Sequence, residues 1–158
     1  MTGDARDLAR LSTVADYQFG SGAGAALFPP DEDLEIKRTS TGRPQQVIAA
    51  GGRLVSHGTD GRFTLGLAGG RRLAAAFEPP AGRVVVGDES EPFVRDGRNV
   101  FAKFVDEVDP AVRPDDEVFV VHGSGELLGV GRAELSADAM TDFESGMAVK
   151  VRVGAGGE

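Results

Sequence analysis

The side chains best suited to acid–base or nucleophilic chemistry are two histidines, His57 and His122, and several runs of carboxylates. Each histidine stands just before a glycine at the end of a predicted strand, a position typical of a surface residue at a turn. Nothing in the spacing brings serine, histidine and aspartate together as a hydrolase triad requires. The acidic runs 31–33 and 115–117 fall in predicted turns, where solvated surface is expected rather than an acid–base pair. We therefore predict no catalytic residues.

The sequence carries no metal or cofactor motif. It has no cysteine, which excludes disulfides and cysteine–zinc sites, and its histidines and acids do not show a metal-ligand spacing. Gly20, Gly22 and Gly24 invite comparison with a phosphate-binding loop, but no strand precedes them and no Gly-Lys pair follows. A tight turn between two helices explains these glycines better. We predict neither a metal nor a cofactor.

The stretch from Gly97 to Pro110 combines a cation with aromatic rings. Its β-branched and aromatic residues, closed by a turn signal at each end, predict one strand. Alternation places Val100 and Phe104 on an apolar face and sets Phe101 beside Lys103 on the other. Because a lysine without a partner is rarely buried, we expect this second face to reach solvent or a ligand.

Several blocks around this strand resemble the PUA domain, a small RNA-binding β-pseudobarrel of pseudouridine synthases and archaeosine tRNA-guanine transglycosylases. The blocks are GRNV at 97–100, the strand itself, DEV-FVVH, and ELLGVGRAEL, and they cover about residues 83–153. GRNVFAKFV is closer to the transglycosylase version, since pseudouridine synthases usually have glycine at the position of Phe104. Earlier in the chain, YQFG, ALF and IKRTSTGR resemble the pre-PUA domain of the same transglycosylases, which implies a cystatin-like α+β module.

The resemblance also implies an RNA-binding face. Cations would meet phosphates, glycine-rich edges would admit the RNA backbone, and aromatic or amide groups would read unstacked bases or 2′-hydroxyls. The implied contact residues are Gly97, Arg98, Asn99, Phe101, Lys103, Gly131, Arg132, Lys150 and Arg152. The alternatives are that each cation pairs with one of the many acids and that Phe101 is a core residue. The catalytic barrel and the cysteine-rich zinc site of the transglycosylases have no counterpart in this sequence.

The overall charge argues against an ordinary nucleic-acid binder, which is usually basic. Asp and Glu number 25 against 17 Lys and Arg, for a net charge of −8, and only three of the cations are lysines. This acidic, lysine-poor balance resembles proteins of halophilic archaea, in which high cytoplasmic salt screens self-repulsion. The alternative is an acidic cytosolic protein that never touches RNA. The polar start MTGDARDL and the lack of a long apolar run predict a cytoplasmic protein without membrane contact.

We predict an α+β fold with two domains. A pre-PUA domain at 1–78 would contain a helix over 5–16, four antiparallel strands and a second helix, and a linker at 79–82 would follow. A PUA domain would occupy 83–153, and residues 154–158 would form a flexible tail.

Within the second domain, the apolar run Val118–Val121 predicts a strand buried on both sides. Its predicted partner contains Gly129 and Gly131, which allow close approach. Ser136 is expected to cap a helix in which Met140 and Phe143 face inward.

These patterns favour a non-catalytic protein that binds structured RNA, with tRNA first because the most similar family modifies tRNA. A separate tRNA-modifying enzyme would be a further partner. The alternative function is a protein-interaction subunit of a tRNA-modification or ribosome-assembly enzyme, with no direct contact to RNA.

Overall fold

The computed structural model of the chain describes residues 2–156, which form two units. The first unit ends at Ala76 and the second begins at Phe77. Both combine helices with antiparallel strands, so the predicted α+β fold class is confirmed. Within the described range, no helix has both the length and the apolar character needed to cross a membrane.

The first unit consists of three helices and a four-stranded antiparallel sheet whose strands lie in chain order. The helices are α1 (Thr2–Phe19), α2 (Ala23–Leu27) and α3 (Leu67–Ala76), and the strands are β1 (Glu35–Arg38), β2 (Pro44–Ala49), β3 (Gly52–His57) and β4 (Phe63–Leu65). This is the helix-led sheet with a following helix that the apolar periodicity predicts. The side-chain amide of Gln18 on α1 makes two hydrogen bonds with the backbone of Phe63 (2.7 and 2.9 Å), which fixes the helix on the last strand.

The glycines at 20, 22 and 24 build the turn between α1 and α2. Gly20 and Gly22 have φ of +116° and +95°, the left-handed region that favours glycine. A Cβ on Gly24 would lie 2.5 Å from the Ser12 carbonyl oxygen, so only glycine lets the two helices approach so closely. The Gly24 N–H donates to the Asp16 carboxylate at 2.7 Å. The prediction of a helix-to-helix turn is confirmed.

The second unit is a six-stranded, nearly closed sheet with two short α-helices. The strands are β5 (Arg83–Val86), β6 (Val100–Phe101), β7 (Val105–Val108), β8 (Glu117–His122), β9 (Leu127–Ala133) and β10 (Met147–Gly154), and the helices are α4 (Glu91–Arg95) and α5 (Ala137–Asp142). Their order across the sheet is β6-β10-β9-β8-β5-β7, and neighbours are antiparallel except for the parallel pair β5 and β8. The barrel-like sheet is the predicted pseudobarrel.

The centre of this sheet is apolar on both faces. Each residue of Val118–Val121 is no more than 2 % exposed, so the prediction of a fully buried strand is confirmed. Its partner β9 approaches β10 so closely that a Cβ on Gly131 would lie 2.2 Å from the Lys150 carbonyl oxygen. The glycine is therefore needed for strand packing.

The single strand predicted from Gly97 to Pro110 is wrong. A 3₁₀ turn over Ala102–Phe104 separates β6 from β7. The break has a tertiary cause, because β6 pairs with β10 whereas β7 pairs with β5 at the far end of the sheet. The chain must change partner between them.

The helix after Ser136 ends before Phe143. Ser136 Oγ accepts a hydrogen bond from the Ala139 N–H at 3.2 Å, as expected of an N-cap. The helix ends at Asp142, and Phe143 has an extended backbone with φ of −86° and ψ of +135°. Phe143 is consequently 52 % exposed, and the prediction that it faces inward is wrong.

The predicted flexible tail at 154–158 begins too early. Gly154 is the last residue of β10 and Ala155 is only 7 % exposed. The Ala155 N–H donates to the Leu128 carbonyl and the Gly156 N–H to the Arg95 carbonyl, both at 2.8 Å. Residues 157 and 158 lie outside the described range.

Candidate nucleic-acid interface

The turn between α4 and β6 organises the candidate site. Gly97 has φ of +86°, and its N–H donates to the Val94 carbonyl at 2.9 Å, which ends α4. Two residues later, the Asn99 side-chain oxygen accepts a hydrogen bond from the Val151 N–H at 3.0 Å. Asn99 therefore ties the turn to β10 through its carbonyl oxygen and leaves the amide nitrogen for other contacts.

An apolar groove of about 600 Å³ lies beside this turn. Three aromatic side chains line it, and two of them are unusually exposed: Phe93 at 55 % and Phe101 at 46 %. Phe104, the last residue of the 3₁₀ turn, is the third. The exposure of Phe101 answers the question that the sequence left open, because this side chain is not a core residue. Exposed rings around an open groove suit stacking on unpaired bases.

Two cations stand next to these rings. The Arg98 guanidinium lies 6.0 Å from the centre of the Phe93 ring, and the Lys103 ammonium lies 5.1 Å from the centre of the Phe104 ring. Arg98 also approaches Asp96 at 3.7 Å, but both side chains are about 70 % exposed, so this ion pair is weak. The groove thus combines apolar walls with positive charge held close to aromatic faces.

The remaining predicted contact residues form a separate set on β9 and β10, whose cations mostly have partners. Arg152 makes a two-pronged ion pair with Glu117, whose side chain is only 5 % exposed. Arg132 pairs with Glu134 at 3.0 Å. Lys150 is exposed, and no ion pair is found for it among residues 5–156. Gly131 is buried, as its packing role requires.

The negative charge of the chain is concentrated in the second unit. Residues 77–158 contain 17 acidic and 8 basic residues, a net charge of −9, whereas residues 1–76 contain 8 acidic and 9 basic residues. Any phosphate contact on the second unit must therefore use local cations rather than the field of the whole unit.

The two histidines are not the free surface residues that the sequence suggests. His57 Nδ1 is buried and makes no hydrogen bond within the described part of the chain, and the ring packs 5.2 Å from that of Phe63. His122 is partly buried and contacts Asp88 through Nε2 at 2.5 Å. His122 Nδ1 also lies 3.0 Å from Ser124 Oγ, so a serine, a histidine and an acid do meet here, which the sequence did not predict; Ser124 is two residues from His122 in the same turn.

Sequence reasoning did not identify two walls of the groove, Phe93 and Phe104. Phe93 lies in a five-residue helix, where no apolar periodicity can develop, and Phe104 was assigned to the core face of a strand that does not exist. The signal that could have found Phe93 is its position just before the Gly97 turn, five residues from Arg98.

Comparisons with known proteins agree with this division of the chain. Residues 9–80 match the patch-forming domain C2 of tRNA-guanine transglycosylase, and residues 82–154 match the PUA domain. The tRNA-guanine(15) transglycosylase of Pyrococcus furiosus is 47 % identical over 145 residues, which are 91 % of this chain and 24 % of the relative. The chain thus spans about a quarter of the length of the curated relatives it matches.

Two solved structures share the fold. A hypothetical protein of Pyrococcus horikoshii superposes with a TM-score of 0.74 at 20 % identity, over 96 % of this chain and 91 % of that one. A conserved PUA domain protein of Thermoplasma acidophilum gives 0.70 at 20 % identity, over 98 % and 92 %. At 20 % identity, these similarities establish the fold of the two units and nothing further.

Proposed function

We propose that this chain, which matches the C2 domain of tRNA-guanine transglycosylase over residues 9–80 and the PUA domain over residues 82–154, binds structured RNA, most readily tRNA, and catalyses no reaction itself. The observation that carries the proposal is the apolar groove with its exposed rings and adjacent cations. Two half-exposed phenylalanines that share one groove support a role of this surface in binding a ligand.

The groove suits an unstacked nucleotide better than a helix of RNA. Phe101 and Phe93 offer rings on which a base can stack. Arg98 lines the groove and Lys103 lies over the Phe104 ring beside it, so both cations can contact the phosphates of the bound strand. A double helix would need a longer row of cations. The row that β9 and β10 offer is largely neutralised by Glu117 and Glu134.

Direct RNA binding is tested by measuring the affinity for total tRNA as a function of salt. Phe101→Ala should weaken binding by about 5- to 150-fold, which corresponds to the ~1–3 kcal/mol of one stacked base. Phe143→Ala is the matched control, because Phe143 is similarly exposed in the same unit but does not line the groove. Equal losses in the two variants would contradict a specific role for the groove.

The charge contribution is tested with a second pair of variants. Lys103→Gln should lower the slope of log affinity against log salt by roughly 0.7 to 0.9, the share of one phosphate contact. Lys37→Gln, an exposed lysine on β1, serves as the control and should leave the slope unchanged. An unchanged slope for Lys103→Gln would remove that residue from the interface.

A second candidate function follows from the net charge of −9 on the second unit. An acidic unit with an exposed aromatic groove could instead dock on a basic protein, such as a separate tRNA-modification or ribosome-assembly enzyme. In that case tRNA would not bind measurably at any salt concentration, whereas Phe101→Ala would disrupt copurification with the partner. Incorporation of labelled guanine into tRNA by the chain alone would contradict both candidates, since each is non-catalytic.

A further inference from the structure

Three potential metal ligands from the second unit lie together on the described surface, and none of them lines the groove. His122 Nε2 is 2.5 Å from the nearer Asp88 carboxylate oxygen and 4.0 Å from Glu91 Oε1. All three donor atoms lie within 4.8 Å of one another. Two carboxylates and an imidazole are thus arranged around one point.

The sheet topology explains why these residues meet. β5 and β8 are parallel neighbours in which Val86 is opposite His122, so the two strands end at the same edge. The chain leaving β5 reaches Asp88 after two residues and then enters α4 at Glu91. The end of β5, the start of α4 and the end of β8 therefore fix the cluster, although His122 lies 34 residues after Asp88 in the sequence.

Neighbouring groups orient two of the three ligands. Arg95 donates to Glu91 Oε2 at 3.0 Å, which leaves Oε1 directed at His122, and the charge of Arg95 is shared with Glu126 at 2.5 Å. On the other side, His122 Nδ1 lies 3.0 Å from Ser124 Oγ. Partners of this kind on the far atoms of histidine and carboxylate ligands are typical of metal sites.

We propose that Asp88, Glu91 and His122 bind a divalent cation of the first transition row, with Zn²⁺ the preferred ion. An imidazole with two carboxylates suits such ions better than Mg²⁺ or Ca²⁺, which take oxygen ligands. The two negative charges balance the charge of the ion. Three protein ligands leave at least one position of a tetrahedral Zn²⁺ open to water.

Binding requires only small movements. Ligand atoms about 2.0–2.2 Å from Zn²⁺ are roughly 3.4 Å apart in a tetrahedral site. The Asp88 oxygen, now 2.5 Å from His122 Nε2, must therefore move away by about 0.9 Å. Its side chain is 93 % exposed, so it has room to move. The Ser124 N–H now donates to Nδ1 at 3.1 Å, which places the ring proton on Nε2. Coordination through Nε2 requires the other tautomer: the proton moves to Nδ1, the hydrogen bond from the Ser124 N–H is lost, and Nδ1–H donates to Ser124 Oγ instead.

The proposal is tested on the full chain without an affinity tag, by titration calorimetry with Zn²⁺ and by the visible absorption of bound Co²⁺. We expect one ion per chain with micromolar affinity and a Co²⁺ spectrum of a low-coordinate site. His122→Gln should abolish the spectrum, and Asp88→Asn should weaken Zn²⁺ binding by at least about tenfold. Ser124→Ala should weaken it less than either ligand variant.

Two controls make the result decisive. His57→Gln removes the other histidine of the chain, and Glu107→Gln removes an exposed acid on β7, so both should bind Zn²⁺ like the parent protein. No saturable binding below millimolar Zn²⁺, or binding that survives His122→Gln, would overturn the proposal and leave these residues as a surface ion pair. Because RNA is absent from the test, its outcome is independent of the proposed function.

Discussion

Replacing Arg152 by glutamate should damage the fold of the second unit rather than probe RNA binding. The structure places the Arg152 guanidinium in a two-pronged ion pair with Glu117. The Glu117 side chain is 5 % exposed and the Arg152 side chain 32 % exposed. The substitution removes the cation and brings a second carboxylate to a carboxylate that water hardly reaches.

The magnitude follows from the burial of the pair. Breaking a fully buried ion pair costs about 3–5 kcal/mol, because one charge is left without compensation. Since Arg152 is one-third exposed, we reduce this to about 2 kcal/mol. For a domain of this size, 1 kcal/mol shifts the melting temperature by roughly 4–8 °C, so Arg152→Glu should lower it by roughly 8–16 °C.

Scanning calorimetry measures the shift, and hydrogen exchange locates it. Because a chain with two units need not unfold in one step, exchange in peptides from β8 and β10 is needed to assign the loss to the second unit. Lys150→Glu on the same strand is the control, and it should change stability by less than ~0.5 kcal/mol, since Lys150 is exposed.

A double variant separates the ion pair from other effects. If Glu117→Gln is combined with Arg152→Gln, both charges disappear together and much of the lost stability should return. A melting temperature for Arg152→Glu within about 2 °C of the parent protein would show that the pair contributes little, and the reasoning from burial would be refuted.

Three further predictions follow from contacts described above. Gly131→Ala should prevent the close approach of β9 and β10 and lower the free energy of unfolding by about 3 kcal/mol or more. Gly123→Ala is the control and should be tolerated, because the space around Gly123 is open. Equal melting temperatures of the two variants would contradict this prediction. Ser136→Ala should lower the free energy of unfolding by about 1 kcal/mol, measured by urea unfolding, because the helix cap is lost. Ser136→Asp should keep most of the stability, because aspartate can also cap the helix. The two-pronged hydrogen bond from Arg72 lowers the pKa of Glu32 below its usual 4.5, so the stabilisation is present above that pH and is lost as the pH falls through the lower value. Melting curves from pH 6 to pH 3 should therefore fall less steeply for Glu32→Gln than for the parent protein, and parallel curves would exclude the effect.

The sequence pattern was sufficient where a strand lies in the middle of the sheet. β9 pairs with all of Val118–Val121 and β5 with Phe119–Val121, and the continuous apolar run of this segment correctly predicted burial on both faces. The turn at Gly20–Gly24 was likewise predictable, because glycine spacing reports directly on backbone conformation and on close approach.

The sequence pattern gave a wrong prediction where the course of the chain depends on which distant strands it pairs with. The stretch from Gly97 to Pro110 has the composition of one strand, but β6 and β7 belong to opposite ends of the sheet order, and only a 3₁₀ turn allows the switch. The same break moves Phe104 from the predicted core face to the groove. No local signal encodes which strand lies beside which.

The sequence predicted which types of residue form the candidate interface, but not which of them share one surface. Arg98, Phe101 and Lys103 do lie at or beside the groove, whereas Arg132 and Arg152 are held by carboxylates from other strands or positions. The sequence shows that acids are abundant, yet it cannot show which acid reaches which arginine. That information requires the register of the sheet.

The pairing of β6 with β10 has a consequence for how the protein is made. Phe101 lies opposite Met147, so one wall of the groove has no backbone partner until the ribosome has synthesised a strand more than forty residues later. At about 5–20 residues per second, this delay lasts roughly 2–10 s, during which Phe93, Phe101 and Phe104 lack the frame that spaces them. Contacts between residues so distant in the chain also form slowly. The groove should therefore be among the last parts of the unit to form on the ribosome.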